Sequence, residues 1–156
     1  MNTVKTLLYM GTLHGFFTYY FPYSLASAVP PLFDPGVLRT LALPLWIAGT
    51  LVILLCSVDF VKRGRGTPAH LDPPKELVIV GAYRYVRNPI YAGALLVLFG
   101  YILWFGSGLM VLYSLCALLG FHFLIVFVEE PVLSESFGAA YQAYTRSVPR
   151  WIPKIR

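Results

Sequence analysis

The sequence predicts an all-α membrane protein: four transmembrane helices, then a C-terminal amphipathic helix at the interface. Three observations predict it. Hydrophobic residues make up 58% of the 156-residue chain and charged residues only 12%, against roughly 25% charged in a soluble domain. The apolar residues fall in four long runs, and a helix rising about 1.5 Å per residue needs about 20 of them to cross hydrocarbon. The basic excess behind a formal net charge of +5 gathers between and after those runs.

The first run, residues 4–27, ends before Pro30-Pro31 and Asp34-Pro35-Gly36, a turn cluster that cannot continue a helix. Ala26-Ser27-Ala28 imitates a signal-peptide cleavage pattern, but the length of the run and its His14, Tyr19 and Tyr20 favour a retained span. The second run, 37–61, gives way to Lys62-Arg63-Gly64-Arg65-Gly66, and the chain stays polar, with Pro68, Pro73 and Pro74, as far as Arg87. Within that stretch the apolar patch Leu77-Val78-Ile79-Val80 is expected on the membrane surface. The third and fourth runs, 89–105 and 109–128, are separated by Gly106-Ser107-Gly108 alone, so they must fold as a tight antiparallel hairpin. Beyond them Leu133, Phe137, Tyr141 and Tyr144 recur at helical spacing while Ser134, Glu135, Gln142 and Arg146 face elsewhere, an amphipathic pattern. Val148-Pro149-Arg150-Trp151-Ile152-Pro153 then reads as extended, with an aromatic anchor. One membrane domain, 1–156, is expected. Four crossings put the basic loop and the basic C-terminus on the same side, so both termini are expected in the cytoplasm.

The basic residues form no stripe that could track phosphates, so nucleic acid is not an expected partner. Cys56 and Cys116 sit inside apolar runs without ligand spacing, so no metal site is expected. His14 and His122 are isolated within spans and read as packed, hydrogen-bonded histidines rather than catalytic bases.

Two polar clusters flank the hairpin: Gly81-Ala82-Tyr83-Arg84-Tyr85-Val86-Arg87-Asn88-Pro89-Ile90-Tyr91 before it and Glu129-Glu130-Pro131 after it. An antiparallel hairpin brings its open ends together, so Arg87, Asn88 and Tyr91 should meet Glu129 and Glu130 at the cytoplasmic boundary. Polar groups kept at that depth point to function. Each cluster also has a local reading: Asn88-Pro89 as an N-cap with proline at the first helical position, and the two glutamates as first-turn carboxylates of the next helix.

From Gly81 to Pro153 the chain resembles the integral membrane methyltransferases grouped with isoprenylcysteine carboxyl methyltransferase and the phospholipid N-methyltransferases. The resemblance rests on Gly81-x-Tyr83, Arg87-Asn88-Pro89-x-Tyr91-x-Gly93, Glu129-Glu130-x-x-Leu133, Phe137-Gly138-x-x-Tyr141-x-x-Tyr144 and Val148-Pro149-Arg150. It implies that S-adenosylmethionine is bound by the last two spans and the C-terminal helix, while a lipophilic acceptor arrives from the bilayer. Membrane lipids would be the other partner. The implied cofactor contacts are Tyr83, Asn88, Pro89, Tyr91, Glu129 and Glu130; Arg87, Glu129 and Glu130 would be catalytic, and Arg150 and Tyr144 would touch the acceptor. Where many relatives carry histidine this chain has Asn88. Where isoprenylcysteine carboxyl methyltransferases place an arginine one turn before the first glutamate it has Ile125, so a carboxylate acceptor is not implied. The rival reading is a non-catalytic ligand-binding or assembly protein that uses the hairpin structurally.

Overall fold

The computed structural model describes residues 3–64 and 75–153, and among them every regular element is helical. Arg65, Gly66, Pro68, Pro73 and Pro74 of the basic, proline-containing loop lie outside the described residues.

The first apolar run is one helical path in three parts: α1 (Thr3–His14), a π-helical stretch Gly15–Tyr20, and α2 (Phe21–Ser27). Pro22 explains the middle part. A proline cannot donate to the preceding turn and its ring collides with the carbonyl four residues back, whereas a π turn widens the helix and takes up the strain. The Phe21 N–H bonds Phe16 O, five residues back; Pro22 has no N–H to offer Phe17 O, and the Tyr113 hydroxyl supplies that bond at 2.7 Å.

A short 3-10 helix, Gly36–Leu41, leads into α3 (Ala42–Asp59). Against it packs α4 (Pro89–Phe105), and small residues set how closely. A Cβ on Gly49 would stand 2.5 Å from Gly93 O, and one on Gly93 would stand 2.8 Å from Gly49 O. The two backbones therefore touch where glycines face each other, the packing that apolar surroundings favour.

The α4–α5 hairpin is as tight as the spacing requires, with α5 spanning Gly108–Leu124. Gly106 turns the chain at φ 62°, a left-handed conformation that glycine tolerates. Ser107 caps α5 by accepting from the Met110 N–H at 3.4 Å. Gly106 O accepts from the Leu32 N–H at 2.8 Å, which seats the α2–α3 connection on the turn.

After α5 comes a correction. The glutamates and Pro131 do not break the fourth run from a separate amphipathic helix. A π stretch, Ile125–Glu129, carries α5 into α6 (Glu130–Ser147), so that Gly108–Ser147 is one path of 40 residues. The cause repeats that of the first helix, with proline again two residues beyond a π turn. The interruption falls instead at Gly138, whose φ of 49° and ψ of −123° kink α6.

Gly36–Arg63 and Gly108–Ser147 are each long and apolar enough to cross a membrane, and Pro89–Phe105 is apolar but shorter. Their outer sides expose Leu51, Leu54, Leu55, Leu112, Leu115 and Leu119. The Leu77–Val80 patch expected on the membrane surface turns inward instead. Val78 is buried with Met10, Cys56, Tyr83 and Ile90, and Leu77 packs on Tyr141, Tyr144 and Val148. The physical reason is alternation along an extended segment, which buries Val78 and leaves Ile79 exposed.

Candidate functional site

The polar residues before α4 are presented by a short 3-10 helix, Gly81–Arg84. Gly81 begins it at φ 55°, and the Asp59 carboxylate occupies the space that a Cβ there would need, 2.5 Å away. Tyr83 is buried, and its carbonyl accepts from the Tyr144 hydroxyl at 2.7 Å, tying the start of α4 to α6. Burial pushes the Tyr144 hydroxyl well above the ordinary tyrosine range, so it remains a neutral donor.

Asn88 precedes Pro89, the first residue of α4, but its side chain makes no capping bond. Its amide reaches across the site and donates to Arg150 O at 3.3 Å. One turn on, the ring of Tyr91 lies 4.7 Å from that of Phe121 on α5, and its hydroxyl donates to the Glu129 carboxylate. Glu130 accepts from Arg87 Nη1 at 3.0 Å and is gripped by Arg150 through Nε at 2.7 Å and Nη2 at 2.9 Å. Consecutive residues on a helix point about 100° apart, so the two adjacent carboxylates serve different partners, Glu129 toward α4 and Glu130 toward the C-terminal stretch. As Glu129 and Glu130 lie inside a continuing helix, the helix-dipole reading of the pair does not apply.

Burial by itself would raise the Glu130 carboxyl, but the hydrogen bond from Arg150 and the charges of Arg87 and Arg150 outweigh it and hold the group below the usual carboxylate value. The segment after α6 closes over this cluster. The Arg87 N–H donates to Pro149 O at 2.9 Å, and Trp151 Nε1 donates to His122 Nδ1 at 3.4 Å.

Behind the cluster a cavity of about 740 Å³ runs between α1, α4, α5 and α6. Tyr83, Arg87, Asn88, Pro89, Tyr91, Glu129, Glu130 and Tyr144 all line it. Of the residues singled out from the sequence, only Arg150 does not. It stands on the far side of Glu130, with its guanidinium committed there. Ile125, at the position where an arginine was considered, is fully buried. Sequence reasoning missed that the first helix supplies a wall, through Met10, His14 and Thr18. The available signal was the His14-x-x-x-Thr18 spacing, two polar residues on one face of an apolar helix.

A cavity this size, aromatic on its walls and with a few convergent charges at one end, has the form of a small-molecule site. The family model for phospholipid methyltransferases matches residues 37–140, more than half of the chain. The chain belongs to the phospholipid methyltransferase family. This is a family of integral membrane methyltransferases. The match takes in α3, which the motifs around the hairpin do not reach, and the whole α4–α5 hairpin. No curated protein and no solved structure matches the chain.

Proposed function

We propose that the protein transfers a methyl group from S-adenosylmethionine to a lipophilic acceptor drawn from the bilayer. In this reading one membrane domain crosses the bilayer four times, with both termini and the site on the cytoplasmic side. The observation that carries it is the meeting of the two hairpin ends, Arg87-Asn88-Tyr91 with Glu129-Glu130, on the wall of one large cavity.

The residues present fit the cofactor. The volume lies within the range of about 300–1,000 Å³ typical of small-molecule sites. The tyrosine faces of Tyr83 and Tyr91 suit a sulfonium cation, and the Glu129 carboxylate suits ribose hydroxyls or an amino group. Arg87 Nε is buried without a hydrogen-bond partner among the described residues, as expected where a protein is built to receive an acceptor. When bound, the sulfonium supplies an electrophilic methyl group. Methyl transfer from it needs alignment and dryness more than acid–base machinery. Tyr91 and Glu129 orient the ligand, Arg87 and Glu130 set the charge at the mouth, Asn88 and Pro89 shape its floor, and Tyr144 borders the acceptor. Arg150 acts from outside the wall, closing the site through Glu130.

Calorimetry on the purified chain, with S-adenosylmethionine and with its demethylated product, tests this. Saturable binding of both is expected, and heat-silent titrations of both would overturn the proposal.

A further inference from the structure

The inner half of the cavity, on the bilayer side, is walled by α1 and α5 and holds no cation. Arg87 is the one lysine or arginine on the wall among the described residues, and it stands at the mouth against Glu130. The inner polar side chains are mostly occupied: the Tyr113 hydroxyl serves Phe17 O, and Thr18 Oγ1 is bonded to His14 Nδ1 at 3.1 Å. His14 Nε2 has no hydrogen-bond partner among the described residues, although its residue is only 8% exposed and lines the cavity. Only the Nδ1 edge of this imidazole is engaged by the protein among the described residues, which leaves Nε2 available to a ligand in the cavity.

Its depth fits a role in the reaction. Met10 packs with Tyr83 and Ile90, at the level where α4 begins. His14 is one turn further along α1, about 6 Å deeper at 1.5 Å per residue. It therefore stands just inside the Tyr91–Phe121 level, where an acceptor approaching from the bilayer would bring its head.

Resting on the methyltransferase reading above, we propose that His14 contacts the acceptor and selects its chemistry: a neutral, proton-bearing nucleophile such as a hydroxyl, phenol or uncharged amine on an apolar body. In the tautomer that carries its proton on Nδ1 and donates it to Thr18 Oγ1, Nε2 presents a lone pair to that group. In the transfer the acceptor heteroatom forms the bond to the methyl carbon, the carbon–sulfur bond breaks with its electron pair left on sulfur, and the acceptor proton passes to Nε2. Away from Arg87 at the mouth, a carboxylate or phosphate head finds no lysine or arginine among the described residues of this wall, and its desolvation is not offset there.

The test uses the full chain in lipid nanodiscs with nitrogen-labelled histidine rings, without cofactor. A long-chain alkylphenol should move the Nε2 resonance of His14, identified by its loss in His14→Gln, and leave His122 in place. The matching alkyl carboxylate and alkyl phosphate should leave both unmoved. In turnover, His14→Phe should lower kcat/KM for the phenol by about 100-fold, the low end for general-base removal, while the affinity for S-adenosylmethionine is kept. His14→Gln, which can still accept a hydrogen bond, should recover KM but not kcat. An Nε2 signal indifferent to the phenol, or equally responsive to the carboxylate, overturns the proposal, as does wild-type turnover in both variants. Failure of the cofactor to bind would instead remove the methyl-transfer reading, and the resonance experiment does not depend on it.

Discussion

Replacing Glu130 by glutamine isolates the contact that holds the C-terminal segment over the cavity. The carboxylate accepts three bonds, from Arg87 at 3.0 Å and from Arg150 at 2.7 and 2.9 Å, and hydrogen bonds to charged groups contribute roughly 1.5–3 kcal/mol each. Glutamine keeps one acceptor oxygen but removes the other and the charge. Because the Arg150 side chain is 30% exposed, water replaces part of what is lost. A net cost of about 2 kcal/mol follows, or about 30-fold in the docking equilibrium. The Arg87 amide reports it directly, since its partner Pro149 O is in place only when the segment is docked. Hydrogen exchange at Arg87 should accelerate about 30-fold relative to the parent, with α3 and α4 amides unchanged. The parent should also show a pH dependence that Glu130→Gln lacks. With the folded-state carboxyl held below its ordinary value of 4.5, its contribution is complete above that value and disappears as pH falls below it. Arg87 protection within about twofold of the parent at neutral pH would refute the claim that Glu130 holds the segment.

Tyr91→Phe and Glu129→Gln should each weaken S-adenosylmethionine binding by about tenfold, and the double variant should cost less than the sum, because one bond joins the pair; strict additivity in calorimetry would speak against a shared contact. Gly49→Ala and Gly93→Ala each force a methyl group against a backbone carbonyl and should each lower the thermal unfolding midpoint in detergent, at a cost of about 1–3 kcal/mol; an unchanged midpoint would mean that α3 and α4 are not packed this closely. Gly106→Ala introduces a side chain at positive φ in the hairpin turn and against the Phe33 carbonyl, and should cost about 2–5 kcal/mol by the same measurement, whereas Gly120→Ala, with open space around it, should not be destabilising.

Most of the site was legible because the hairpin is local. Asn88-Pro89 starts a helix and Gly106-Ser107-Gly108 reverses the chain, so the open ends of the two runs return to each other and Tyr91 meets Glu129. What could not be read depends on partners far apart in sequence. Pro131 looks like a terminator, and only the π turn before it reveals that the helix continues. Asn88 has the composition of a cap, yet its side chain is claimed by Arg150 O, 62 residues later. Val78 looked like surface because nothing nearby in sequence says that Met10 and Cys56 wait for it. His14 was read as a packed, hydrogen-bonded residue, and the Thr18 contact supplies one such bond; its place on the cavity wall followed only once α1 had been set against α4.

The helical path that runs from Gly108 through the π turn as far as the Gly138 kink joins the apolar helix directly to the two carboxylates. Its apolar portion is long enough to cross a membrane, and Glu129 and Glu130 follow on it at the end of the π turn, so the carboxylates share any change in its tilt. Membranes of different hydrocarbon thickness tilt an embedded rod by different amounts. Each degree of tilt is delivered to the two carboxylates, and lipid composition thereby becomes a setting on how snugly the mouth of the cavity shuts.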